Sequence, residues 1–324
     1  MTRTRRITVV IAVLAATGTA IAALATTWTK PSEYDALSLR VMQLHVAERF
    51  DQAVPLAEYV VALARAQDGE DSPRYAKALS SLAELHIATA HPDRAEPLAT
   101  SALAVTERRS GAEAEETADA VILAGRAQLA QKHFPEAEQL LGRARAIYAK
   151  ADPADRVGAA TAGRWLADVY AATSRVDEAA ALYEQNVAAQ QAKWGPDSTM
   201  VGFALQRLVD LYAENGRYAE AEAAARQRLA ISEKASTASG DKVGLALSLV
   251  HLADVVAIQR PVDAEPIARR AVDLAEQADQ ARLRDMVLAD ALASLAHICD
   301  AVGQTDEAAS LAARAASLRK QTAR

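Results

Sequence analysis

One cysteine, Cys299, occurs in 324 residues, so no disulfide can form within the chain. In an apolar helical setting that thiol is expected to be a small buried hydrophobe. Aromatic residues are almost as scarce, at 4%, although hydrophobic residues make up 51%. A chain so apolar is not disordered, and its abundant alanine suits helices that pack closely through small side chains. With 13 Gly and 10 Pro there is too little turn material for a sandwich or barrel, and no sustained β-branched alternation reads as a sheet. Also missing are a glycine-rich phosphate loop, a GxSxG elbow, an HExxH pair and a partnered cysteine nucleophile. No enzyme, cofactor or metal site is expected from such a chain. The formal net charge of −6 gives no advantage on a phosphate backbone, so nucleic acid is not an expected partner.

Charge is absent again from Ile7 to Thr26, behind Arg3, Arg5 and Arg6. Twenty uncharged residues at ~1.5 Å each reach about 30 Å, enough to cross a bilayer with the arginines on the cytoplasmic side. Residues 1–30 therefore read as a signal anchor. Ala20-Ile21-Ala22 and Ala23-Leu24-Ala25 equally offer the small-x-small pattern of a cleavable signal peptide. The expected location is a bacterial inner membrane with the body outside the cytoplasm, or the periplasm or exterior after cleavage. Residues 31–324 form the body.

What the body does contain is a repeat. RFDQA, PDRA, HFPEA, RVDEA, RYAEA, PVDAE and QTDEA superimpose on the anchors Ala53, Ala95, Ala137, Ala179, Ala221, Ala264 and Ala308. Successive anchors lie 42, 42, 42, 42, 43 and 44 residues apart. Such a period marks a stacked array of short units rather than separate globular domains. Before the anchor, Leu79, Leu82 and Leu85, and likewise Leu205, Leu208 and Leu211, recur at helical spacing. After it, the third residue on (Leu56, Leu98, Leu140, Leu182, Ala224, Ile267, Leu311) is expected to form the seam of a second helix. Gly216 and Gly303 suit the left-handed residue that ends a helix, and acidic residues beside the anchor suit a helix N-terminus. Each unit is thus a helical hairpin with more apolar surface than it can bury alone.

On Leu166, Ala167, Tyr170 and Ala179, on Leu208, Tyr212, Gly216, Tyr218 and Ala221, and on Leu295, Ala296, Gly303 and Ala308, the sequence resembles the tetratricopeptide (TPR) superfamily. Its period is similar to the long kinesin-light-chain-like variety. The resemblance covers about residues 34 to 320. Arg40 and Ala124 stand where the family has leucine, and Arg260 and Pro261 shift the sixth turn.

The resemblance implies an all-α, right-handed superhelix of about seven hairpins, its inner face lined by first helices. Glu84, Arg126, Asp168, Asp210, Asp254 and His297 occupy the matching inner position, with Ser80, Arg164 and Gln206 beside them. On that placement they form a row able to hold a basic or amide-rich protein segment, against the alternative of an ordinary solvated helix face. The implied function is a protein-binding scaffold; self-association, and ligand sensing or accessory enzymatic work, are the rival readings. The membrane is a further partner if residues 1–30 are retained. His91 and His133 share one turn position in adjacent units, and none of the six histidines falls in a ligand cluster.

Overall fold

The computed structural model describes residues 32–151, 156–279 and 281–322. The anchor or signal read in residues 1–30 lies outside them. No described helix is long and apolar enough to cross a membrane.

Within the described residues the architecture is all-α, and the chain divides into two compact units between Val105 and Thr106. The first contains α1 (Glu33–Val46), α2 (Phe50–Asp68), α3 (Pro73–Ala88) and most of α4 (Pro92–Ser110). The second contains α5 (Glu115–Ala130), α6 (Phe134–Ala151), α7 (Arg156–Ala172), α8 (Val176–Trp194) and α9 (Thr199–Glu214). It continues through α10 (Tyr218–Ser239), α11 (Lys242–Ala257), α12 (Pro261–Glu276), α13 (Ala281–Ala301) and α14 (Thr305–Thr322). In the second unit each helix packs on its neighbours in sequence, and α5 with α7 and α11 with α13 also meet as first helices of adjacent hairpins.

All seven anchor alanines are buried, six of them completely. A methyl group at that point lets two helix backbones approach closely, which a larger side chain would prevent. At Gly125 the approach is closer still, because an added Cβ would lie 2.7 Å from Leu141. The expected seam of the second helix holds at Leu182 and Ala224, which are buried, and fails in the other five units. Leu56, Leu98, Leu140, Ile267 and Leu311 are only half-buried. The buried positions are four and seven residues beyond the anchor: Ala57 and Val60, Ala99 and Ala102, Leu141 and Ala144, Ala268 and Ala271. Residues 4 and 7 apart share one helix face with the anchor, while the third residue on lies at the edge of that stripe.

Turns between paired helices use one recurring left-handed residue. Gly216 and Gly303 take it as expected, at φ +73° and +86°, but Glu48, Ala90, Lys132 and Ser174 take it too, at +55° to +63°. The side chain crowds the carbonyl there, so each non-glycine retains some strain. Downstream of the sixth turn, Pro261 opens α12 directly after Arg260, and no positive φ is needed.

Adjacent hairpins of the second unit are also joined by ion pairs 37 to 40 residues apart. Arg175 stacks on Tyr170 and bonds Glu138 and Glu178; Arg217 stacks on Tyr212 and bonds Asp177 and Glu220. Arg269 and Arg270, on a solvated face of α12, bond Glu307 and Glu233 of the flanking hairpins.

Candidate functional site

The second unit gathers most of the expected row. On α5 and α7, the Arg126 and Arg164 guanidiniums lie 4.5 and 3.8 Å from the centre of the Trp165 ring. Cations so placed are held by the negative face of the indole, more strongly where water is partly excluded. Arg164 is also 3.9 Å from Asp168, whose carboxylate accepts a hydrogen bond from the Tyr183 hydroxyl of α8. Burial pulls the Arg164 guanidinium below its ordinary pKa; Asp168 opposes this, while Arg207 and Arg126 add to it as like charges. Burial and the Asp168 charge hold the Tyr183 phenol well above its ordinary value, so it remains a donor.

One step along, Gln206 donates to Asp210 at 2.6 Å on α9. Behind them Arg228 projects from α10, only 7% exposed, and donates to Nδ1 of His251 on α11 at 2.7 Å. An accepting Nδ1 requires the proton on Nε2. Burial and the neighbouring Arg228 charge push His251 down to about 4, so the imidazole is neutral at ordinary pH. Arg228 is itself lowered by burial, with Asp210 as the opposing charge.

Further along, Asp254 accepts a 2.5 Å hydrogen bond from Ser294 of α13, and the His297 side of that helix is within electrostatic reach. Asp254 is exposed by surface area, yet surrounding protein raises its pKa, against the hydrogen bond from Ser294. Arg126, Arg164, Asp168, Gln206, Asp210, Asp254 and His297 thus stand on first helices, with Arg126 and Arg164 meeting at Trp165, Arg164 beside Asp168, Gln206 on Asp210, and Asp254 within electrostatic reach of His297.

Glu84 lies in the first unit. There it lines a cleft of about 410 Å³ between α1, α2 and α3, together with Leu39, Met42, Lys77 and Ser81. Trp165, Tyr183, Arg207, Arg228 and His251 complete the second-unit site without having been singled out for it. Arg228 had a signal: seven residues after the anchor, the third and sixth units place Ala144 and Ala271, and the fourth places the small polar Asn186. A cation in the register of a buried alanine points to a special environment. Trp165 is one of three tryptophans in the chain, which is a weaker signal.

Among the described residues no three His, Cys, Asp or Glu side chains are grouped to hold a metal ion. His133 instead contacts Gln128 at 2.8 Å and His91 contacts Thr89 at 3.2 Å. Cys299 is buried, and burial raises its thiol pKa.

Family profiles described as tetratricopeptide repeat match residues 159–234 and 291–324. No curated protein matches the chain. Among solved structures, kinesin-light-chain nearly identical TPR-like repeats from Podosopora anserina align at 25% identity and a TM-score of 0.52, covering 63% of this chain and 97% of theirs. BtubC (BKLC) from P. vanneervenii aligns at 16% identity and 0.56, covering 74% and 91%. A Rap protein solved with competence and sporulation factor aligns at 15% and 0.60, covering 92% and 77%. The last two likenesses speak to the fold alone.

Proposed function

Because this chain belongs to the tetratricopeptide-repeat superfamily, we propose that it is a protein-binding scaffold whose second unit receives an extended segment of a partner along its first helices. The observation that carries the reading is the set of polar and charged side chains that recurs on the first helices, from Arg164 and Asp168 through Gln206 and Asp210 to Asp254 and His297. A preformed stack offers such a row with little ordering on binding, and several modest contacts along it set selectivity. The Rap protein of similar fold was solved complexed with competence and sporulation factor.

In this reading residues 7–26 hold the scaffold at a bacterial inner membrane with the repeats outside the cytoplasm, or direct its export. A pull-down from isolated membranes with the region after Lys30 tests the scaffold. A reproducible partner should be recovered by the wild type and lost by Asp210→Lys or Asp254→Lys at unchanged melting temperature. Recovery of nothing across detergents, or a partner indifferent to both substitutions, would oppose the reading. Protease accessibility in intact cells tests the side of the membrane.

Self-association has one observation in its favour, a shallow groove of about 450 Å³ on α13 and α14 that includes Ala293, Ala296, Ala309, Ala312 and Ala316. Sedimentation across concentration separates the two, since a monomer throughout removes the self-associating reading.

A further inference from the structure

Two neighbouring hairpins of the second unit bury polar side chains at a position where the other five units bury alanine or valine. Seven and eleven residues after the anchor, the fourth unit has Asn186 and Gln190, both more than nine-tenths buried. The fifth has Arg228, equally buried, and Ser232. In the remaining units the first of these positions is Val60, Ala102, Ala144, Ala271 and Ala315. Both positions face the first helix of the next hairpin. Arg228 bonds His251 and Ser232 bonds Ser248, each on α11, and in the third unit a Cβ added at Gly158 of α7 would strike the Tyr148 ring. Ser248 in turn stands where the six other units have alanine. By the same register Asn186 and Gln190 lie between α8 and α9.

Hydrogen bonding at the first of these interfaces is incomplete. Gln190 reaches Asn186 at only 3.4 Å, and its Oε1 is buried without a partner. A buried polar atom left unpaired weakens the packing around it, which an apolar side chain of similar size would not do. The helix contacts point the same way. Of the hairpin-to-hairpin contacts in the second unit, α8 with α9 and α10 with α11 are the slightest. Nor does α9 meet another first helix as α5 meets α7 and α11 meets α13. The α9–α10 hairpin, the third of five in this unit, therefore has a polar and thinly packed interface on each side.

We propose that the α9–α10 hairpin is a joint, able to shift as a body against α8 and α11 while the flanking hairpins stay packed. On the premise that the first helices bind a partner, the joint lets the face around Gln206 and Asp210 adjust its spacing to the seated segment. Such a movement is absorbed at a few contacts rather than spread through the stack. Alanine or valine at these positions would make the stack firmer and the face fixed.

Hydrogen exchange of the full-length chain in detergent, with no partner present, tests this. In a uniform stack the middle hairpin is covered on both sides and exchanges last. The joint predicts the reverse, with α9 amides exchanging roughly tenfold faster than those of α6 and α12. Asn186→Val combined with Gln190→Met, apolar and close in volume, should slow α9 exchange about tenfold without lowering the melting temperature. Ser232→Ala combined with Ser248→Ala should slow exchange in α10 and α11 in the same sense. Protection of α9 equal to or above that of α6 and α12, or exchange unmoved by both pairs of substitutions, overturns the joint. Because no partner enters these measurements, their failure leaves the scaffold reading standing, and a failed pull-down leaves the joint standing.

Discussion

The two units build the same hairpin around the same buried alanine and then diverge on the face that the first helices present. In the first unit, Leu39 and Met42 are 51% and 57% exposed beside an apolar-floored cleft. One register step of 42 residues at a time, the Leu39 position becomes Trp165 and Arg207, and the Met42 position becomes Asp168 and Asp210. The buried anchor alanine does not change between the units, whereas face positions change in size, charge and polarity. Stability and recognition are thus carried by different residues of one helix, separated by the helical period. Neighbours such as Leu208, 5% exposed, and Asp210, exposed, can answer to different demands.

The largest expected effect tests that separation. Leu208→Ala should cost roughly 2 to 5 kcal/mol in denaturant unfolding, as a large-to-small change in a packed core does. Asp210→Ala should leave unfolding nearly unchanged. Similar losses from the two substitutions would break the distinction between scaffold and face.

Next comes acid. The folded chain keeps His251 neutral down to about pH 4, whereas an unfolded histidine takes its proton near 6.5. Between those values the unfolded state binds more protons, so stability falls as pH drops through the window, by up to about 3 kcal/mol for a shift of that size. His86 in the first unit is lowered chiefly by burial and has the same sign. Asp254, raised by burial, works in the opposite sense, because the folded state keeps its proton to higher pH. His251→Gln should flatten the acid limb of a stability profile between pH 6.5 and 4. An unaltered limb would mean that the Arg228–His251 contact does not control it.

A smaller effect probes the part in which the units agree. Ala90 in the first unit and Ser174 in the second hold the same left-handed turn. Glycine at either position should stabilise by up to about 1 kcal/mol, the cost of a side chain in that conformation less the added freedom of the unfolded chain. A gain in one unit and a loss in the other would show that the turns are not equivalent. The smallest expected change is in the melting temperature of Arg207→Glu, where no ion pair among the described residues is lost.

Much of the architecture was legible because its signal is periodic. Seven alanines in register specify hairpins and their stacking, and all seven are buried. In five units the expected seam failed because positions 3 and 4 beyond the anchor differ by about 100° around the helix, and there both hold small or aliphatic residues. Ala90 and Ser174 gave no hint of their backbone, since only glycine advertises a left-handed turn. Arg269 with Glu307 was out of reach for a different cause: partners 38 residues apart are paired by the stack, not by the sequence. The same holds for the site. Arg164, Asp168 and Asp210 were legible from repeat position, but Tyr183 on Asp168 and Arg228 on His251 come from second helices and appear only when hairpins are packed.

The central claim is that each hairpin depends on its neighbours to cover its apolar faces, and shortening the second unit from its C-terminal side tests it most directly. Chains ending after residue 279 and after residue 240 remove one and then two hairpins, and denaturant unfolding of each can be compared with the whole. The account predicts a stepwise fall in both stability and denaturant dependence as hairpins are lost. Stability unchanged by either truncation would contradict it, because the remaining hairpins would then be closing their cores alone.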